Sequence, residues 1–290
     1  MKNHDNHSLK FTIVTPCYNC CQYIESCILS VMHQTYSNFE HIIIDGGSTD
    51  GTLKIIEKYS NLYNMTYISE PDQGMYDAIN KGFNFATGDV FSWLNADDSY
   101  MPWTLETLSK IFENEEYEWV TGIPALMDSN GTLYSKKNFD VRTYSQRAIA
   151  KGKHHGRGRG FIQQESTFWR RELWEESNGL NVAYKYAGDF DLWKRFAKLT
   201  PLYSVNTILS AFRVHDGQKS ADFINYYGEI EDYCTISTFI WWIMNKALSI
   251  NRFYYFLNRK MLICIHQKSK QTEKKKLSAL IQYFERFIIK

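Results

Sequence analysis

The sequence predicts an α/β domain, a three-layer sandwich around a mostly parallel sheet, followed by a C-terminal helical tail. Three observations carry that expectation. Four short runs rich in β-branched and aromatic residues recur in the first part of the chain, the segments between them show helical spacing, and each run ends in a polar motif. Strands alternating with helices of this length require right-handed crossovers, which bury the sheet on both faces.

The runs at residues 11–14, 41–44, 65–68 and 90–94 are the expected parallel strands. After the first, Ile24, Cys27, Ile28, Val31 and Met32 recur at helical spacing, with Asn19 expected as N-cap and Gln22 as its partner three residues on. Met75, Ala78, Ile79, Gly82, Phe83 and Ala86 repeat the same period before the fourth run. The motifs Thr15-Pro16-Cys17-Tyr18-Asn19, Asp45-Gly46-Gly47-Ser48, Glu70-Pro71-Asp72-Gln73-Gly74 and Asn95-Ala96-Asp97-Asp98 follow the four strands. In an open parallel sheet ligands bind beyond the carboxyl ends of the strands, so these motifs converge on one crevice rich in carboxylates.

At 290 residues and 44% hydrophobic content the chain can bury a full core, which excludes disorder as the default. Residues 1–10 are polar and read as a short extension; with no apolar leader there, a cytoplasmic location and reduced cysteines are expected. Cys17, Cys20 and Cys21 lack a second pair at zinc-ribbon spacing, which argues against zinc. Residues 245–290 hold eleven Lys or Arg against two Glu, beside a cluster of aromatics, so the preceding part is net acidic. That composition suits an anionic membrane surface, with a packed helical pair as the alternative. Lys246, Asn251 and Arg252 stop the apolar run short of the ~20 residues needed to span a bilayer. Nucleic-acid binding is not expected from the acidic main domain, and a dehydrogenase is excluded by the absence of G-x-G-x-x-G after the first strand.

Asn95-Ala96-Asp97-Asp98 offers hard oxygen donors on a turn, which suits Mg²⁺ or Mn²⁺; the alternative is a turn that caps a helix starting near Pro102. Residues 151–160 alternate glycine with basic residues, and Arg157 and Arg159 carry planar forks suited to phosphate. A flexible lid, or a clamp on a lipid-pyrophosphate acceptor, is the expectation for this loop.

Taken in order, these motifs resemble family 2 glycosyltransferases of the GT-A, Rossmann-like fold, from about residue 11 to about 220. The resemblance extends to Gln163-Gln164-Glu165 and the segment that follows, to Ala187-Gly188-Asp189-Phe190-Asp191, and to Arg213-Val214-His215. It implies a nucleotide-sugar half at 11–122, an acceptor half at 123–220, and a tail at 221–290. By that resemblance Thr15, Pro16, Tyr18, Asp45, Gly46, Asp72, Gly74, Asn95 and Ala96 would face a UDP-sugar, with Asp45 holding the uridine and Asp72 the base. Asp97 would ligate Mn²⁺ or Mg²⁺, with His215 completing that contact. Asp189 would be the general base of an inverting transfer, while Gln163, Gln164 and Asp191 would lie on the acceptor side; by the composition of their loop, Arg157 and Arg159 join the acceptor and diphosphate side. The implied role is synthesis of bacterial surface polysaccharide or O-antigen on a lipid-pyrophosphate-linked glycan, with the enzyme peripheral on the inner face of the cell membrane.

Each residue keeps a plainer reading. Asp189 or Asp191 could cap the helix at Leu192, and His215 could be a turn histidine. The chain also departs from the family pattern. Gly46 replaces a second acidic residue, and Asn95 replaces an Asp, which removes one negative charge from the metal motif. A catalytically weak protein that binds nucleotide-sugar or glycan is the alternative function.

Overall fold

The computed structural model describes residues 8–123, 125–134, 142–156 and 159–230. The tail expectations for residues 231–290 and the role given to Arg157 lie outside the described residues.

The first half is a repeated strand–helix unit. It runs β1 (Phe11–Cys17), α1 (Ile24–Met32), β2 (Phe39–Asp45), α2 (Thr52–Tyr59), β3 (Met65–Ser69), α3 (Met75–Asn84) and β4 (Val90–Trp93). β1 pairs in parallel with β2 and with β4, and β2 pairs with β3, so the chain crosses over β1 before it forms β4. The gap between β1 and β4 is where the strand order reverses, and such a reversal opens a crevice at the carboxyl ends.

The chain then forms β5 (Ser99–Tyr100), α4 (Thr104–Phe112), β6 (Trp119–Thr121), β7 (Leu126–Met127), β8 (Leu133–Tyr134), α5 (Gln146–Ala150), β9 (Thr167–Arg170) and α6 (Arg171–Glu176). The last described elements are α7 (Gly188–Leu199), β10 (Tyr203–Ser204), β11 (Ser210–Arg213) and α8 (Phe223–Glu229). β9 runs antiparallel between β4 and β6 and completes a seven-stranded sheet in the order β10-β6-β9-β4-β1-β2-β3. A second sheet, β5-β11-β7-β8, brings β11 beside the turn that follows β4.

Alternation along the strands divides the core between two faces. Val14, Ile42 and Ile44 pack with Ile79 and Phe83 of α3 and with Leu192, Trp193 and Phe196 of α7. Phe11 and Ile13 point the other way, onto Cys27 and Val31 of α1 and Leu105, Leu108 and Phe112 of α4. Trp93 stacks on Trp193 at 5.8 Å, so the helix that carries Asp189 is seated on the strand that leads to Asp97.

Three sequence expectations are corrected. β1 continues to Cys17, so Thr15 and Pro16 are buried strand residues rather than loop residues. Asn19 does not cap α1; a turn over residues 20–23 intervenes, Tyr23 is the N-cap, and Asn19 sits at φ 49 with its side chain accepting the Thr49 N–H at 2.9 Å. The main fold also extends past residue 220, because Tyr227 of α8 is buried and donates its hydroxyl to the His155 carbonyl at 3.0 Å.

Candidate active site

The carboxyl ends of β1, β2 and β3 build one wall. The Asn19 N–H donates to the Ser48 hydroxyl at 2.8 Å, and the Cys21 N–H to Asp50 at 3.0 Å, which ties the loop after β1 to the loop after β2. Asp45 is fully buried and accepts from the Ser48 N–H at 3.0 Å, the Ser69 hydroxyl at 2.6 Å, the Ser48 hydroxyl and the Cys17 thiol. Burial alone would raise its carboxyl, but these donors outweigh it and hold the group below the usual carboxylate range. Both oxygens are engaged, so Asp45 shapes the turn behind the wall.

The surface of that wall comes from its neighbours. Tyr18 is exposed, and Asp72 Oδ1 accepts the Gly74 N–H at 2.7 Å, which fixes the turn into α3. A Cβ at Gly46 would stand 2.7 Å from Asp72 Oδ2 and 3.4 Å from the Tyr18 ring, so the missing side chain is what lets these three residues meet. Thr15 is engaged inside the sheet, where its hydroxyl bonds His41 Nε2 at 2.8 Å. Ala96 joins the apolar cluster of Cys17, Ile24 and Ile28. Neither side chain reaches the crevice as the resemblance implied.

The second wall forms where β4 meets β11. Arg213 is buried; its Nε donates to the Asp97 carbonyl at 2.6 Å, its Nη1 to the Asp128 carbonyl at 3.2 Å and its Nη2 to the Ser26 hydroxyl at 3.0 Å. Its backbone N–H reaches Asp98 Oδ1 at 2.9 Å, so Asp98 is a buried anchor rather than a helix cap. Burial, with Asp97 and Glu165 nearby, pushes the Asp98 carboxyl well above its ordinary value. This anchoring delivers His215, whose Nε2 lies 3.0 Å from Asp97 Oδ2 while its ring packs on Tyr23 at 4.4 Å. Tyr23 and His215 also line a cleft of about 510 Å³ with Gln22, Ser129, Val214 and Asp216.

The third wall holds carboxylates without partners. Asp189 lies in the first turn of α7; Ala187 is the N-cap, so neither Asp189 nor Asp191 caps that helix. Asp189 Oδ1 is buried with no hydrogen bond, and burial raises its carboxyl to about 6 against the lowering effect of nearby backbone N–H groups. Glu165 Oε1 is likewise buried and unpartnered, and burial raises this carboxyl to about 8, with Asp189 and Asp97 in electrostatic reach. Asp191 pairs with Arg195 at 2.9 Å, and Gln164 is held by Asn95 Nδ2 at 3.2 Å and by the Trp93 carbonyl. Those two support the site rather than face an acceptor, whereas Gln163 Oε1 and Asn95 Oδ1 are buried and unpartnered.

Residues 12–174 match the family described as "Glycosyl transferase family 2". The chain belongs to glycosyltransferase family 2. It is 28% identical over 239 residues to an uncharacterized glycosyltransferase of Rickettsia typhi, covering 78% of this chain and 71% of that one. The GT-A fold is shared with S. aureus TarS 1-349 in complex with UDP-GlcNAc, at TM-score 0.61 and 19% identity over 78% of this chain and 66% of that one. It is shared also with a mannosyltransferase of Pyrobaculum calidifontis in complex with GDP-Man and Mn²⁺, at TM-score 0.63 and 16% identity over 98% and 82%.

Asp97 and His215 of this glycosyltransferase fit a divalent ion. Bonds of about 2.1 Å at right angles place neighbouring donors about 3 Å apart, and the carboxylate oxygen and imidazole nitrogen stand 3.0 Å apart. Among the described residues no cluster of three or more His, Cys, Asp or Glu forms a metal cage, so further ligands would have to come from substrate or water.

Two residues escaped the sequence reading. Glu229 of α8 accepts the N–H groups of Lys185 at 2.7 Å, Tyr186 at 2.9 Å and Ala187 at 2.8 Å, while the Gly188 N–H donates to the Tyr76 hydroxyl at 2.9 Å. Together they set the backbone that presents Asp189. Lys219 lies 5.6 Å over the Tyr76 ring and 5.3 Å over Tyr186, and burial lowers its ammonium group. Only the Tyr76 half of this junction had a signal in the sequence, beside Gly74.

Proposed function

We propose that this glycosyltransferase moves a hexose or N-acetylhexosamine from a UDP-sugar to a glycan hydroxyl with inversion at the anomeric carbon. The observation that carries the reading is Asp189 Oδ1, a buried carboxylate oxygen left without a partner, on a helix start whose preceding backbone is fixed by Glu229 and Tyr76. Such an oxygen can accept the proton of an acceptor hydroxyl as the new bond forms. A divalent ion, held by Asp97 and His215, would supply charge stabilisation for the departing diphosphate. Tyr18, Gly46 and Asp72 would receive the nucleotide, with the exposed Tyr18 ring as a stacking face.

Retention of Asp97, His215 and Asp189 together favours an enzyme over a binding protein. In a bacterial cell the reading extends to surface polysaccharide or O-antigen synthesis, on a lipid-pyrophosphate-linked glycan at the cytoplasmic face of the membrane. No helix among the described residues is long and apolar enough to cross a membrane. Flotation with anionic vesicles, lost on removal of residues 236–290, supports peripheral attachment; equal flotation of both chains rejects it.

The decisive assay is release of UDP from a panel of UDP-sugars with and without Mn²⁺. We expect metal-dependent release that is lost in Asp97→Ala and Asp189→Asn and reduced at least tenfold in His215→Ala, since each tenfold is about 1.4 kcal/mol of transition-state stabilisation. Unaltered UDP binding with no turnover on any donor and acceptor pair would leave a binding protein.

A further inference from the structure

We infer that Arg142, His154 and Arg159 form an anion subsite that takes a phosphate or pyrophosphate group on the acceptor side of the crevice. This deepens the reading above and rests on it.

The segment from residue 142 to 162 contains six Lys or Arg and no Asp or Glu, so it holds no counter-charge of its own. Lys10, Lys58, Lys81 and Arg195 each meet a carboxylate within 3.2 Å, from Glu40, Glu25, Glu70 and Asp191 respectively. Among the described residues neither Arg142 nor Arg159 has such a carboxylate within salt-bridge distance. The Arg159 backbone N–H donates to the Lys153 carbonyl at 3.1 Å, which ties Arg159 to the residue before His154, and the His154 imidazole is lowered to about 4 by burial, then by the charges of Arg159 and Arg142.

His154 is the second observation. It is 8% exposed, and both Nδ1 and Nε2 are buried with no hydrogen bond. A buried polar group without a partner costs on the order of 1–3 kcal/mol, and native folds retain one where a ligand or a water completes it. A neutral ring has one N–H, which needs a hydrogen-bond acceptor, and a protonated ring has two, so an anion can complete one nitrogen of the neutral form and both of the imidazolium. Two flanking guanidinium groups select for negative charge, and their planar forks suit phosphate oxygens.

The loop is shaped to hold this arrangement. Gly152, Gly156 and Gly160 have φ of 64, 88 and 78, so the alternating glycines serve left-handed turns rather than the free flexibility expected from the sequence. A Cβ at Gly160 would lie 2.7 Å from Arg142 Nη1, so this glycine makes room for the guanidinium. The His154 ring packs on Tyr144 at 5.2 Å, Tyr144 lies within electrostatic reach of Glu165, and Glu165 within reach of Asp189 and Asp97. A phosphate attached to the acceptor sugar would enter the subsite beside Tyr144.

The test is calorimetric titration of the full chain with inorganic pyrophosphate in EDTA, alone and with saturating UDP, for wild type and for Arg142→Gln, Arg159→Gln and His154→Asn. We expect pyrophosphate to bind wild type in the presence of UDP, and at least tenfold more weakly in each arginine variant, with UDP binding and melting temperature unchanged. Should Arg142→Gln fail to fold, Arg159→Gln on the exposed part of the loop carries the same comparison. Pyrophosphate displaced by UDP, or bound equally by all four proteins, overturns the subsite. Wild type that binds no UDP in a parallel titration with Mn²⁺ points instead to failure of the nucleotide-sugar reading itself. Farnesyl pyrophosphate and glucose 6-phosphate then separate the sources: tighter binding of the first, lost in Arg159→Gln, assigns a lipid carrier, and tighter binding of the second assigns a phosphorylated glycan. Binding of neither rejects the proposal.

Discussion

The donor wall and the acceptor wall of this glycosyltransferase treat their polar groups in opposite ways. Around β2 the Asp45 carboxylate is covered by four donors, and the loops after β1 and β2 are stitched together by Asn19, Ser48 and Asp50. Around α7 the structure leaves Gln163 Oε1, Glu165 Oε1 and Asp189 Oδ1 buried and unpartnered. A saturated carboxylate is a strut, because it has no lone pair to offer. An unsaturated one is held at a cost in stability, which the completed substrate complex repays with a hydrogen bond. In the proposed reading the donor side is therefore shaped in advance, and the unmet bonding on the other side would be completed by the acceptor hydroxyl.

The strongest way to break this comparison is to remove the base. Asp189→Asn is expected to lower kcat by about 10²–10⁴-fold while UDP binding stays unchanged; near-normal kcat in steady-state assays would show that the unpaired oxygen has no part in the reaction. The same carboxyl gives a pH test. Because burial raises Asp189 to about 6, the ionised base is fully present above that pH and is lost as pH falls through it. kcat/KM is thus expected to fall about tenfold per unit below pH 6, with a flat acid limb in Asp189→Asn; a wild-type profile level down to pH 5 would contradict the assignment.

Glu229→Ala comes next. Three backbone N–H groups before α7 lose their acceptor, and we expect a loss of about 1–3 kcal/mol in denaturant titration together with roughly tenfold lower kcat as Asp189 loses its placement. Unchanged kcat with lowered stability would confine Glu229 to a purely architectural role. The smallest effect is expected on the donor wall. In Gly46→Ala the new Cβ would meet Asp72 Oδ2 at 2.7 Å, so KM for the nucleotide-sugar should rise about fivefold, near 1 kcal/mol, with kcat unaltered. A change in kcat instead would mean that the two walls are coupled more tightly than their hydrogen bonds imply.

What could be read from the sequence follows the same division. β1 to β4, α1 and α3 are long enough for their periods to register, and the polar residues that follow them mark the crevice. Thr15 was misplaced because a period fixes which residues are buried in a strand but not where the strand stops, and Ala96 because it sits in the turn after β4, where no period shows that it packs inward on Cys17, Ile24 and Ile28. β5, β7 and β8 are two residues each, too short for any period, and so the sheet that brings Arg213 and His215 to Asp97 was invisible. Glu229 was invisible for another reason. A carboxylate on a short helix looks the same whether it meets water or three N–H groups, and only the packing of α8 decides between them.

That packing changes where this polypeptide can be divided. The motif resemblance draws a boundary near residue 220, yet the turn that presents Asp189 is closed by a side chain nine residues beyond it. Segments exchanged between relatives at that boundary would pair the α7 of one chain with the α8 of another. Such hybrids would keep every motif residue and still lose the lock on the catalytic turn, so the unit that recombines intact ends no earlier than Glu229.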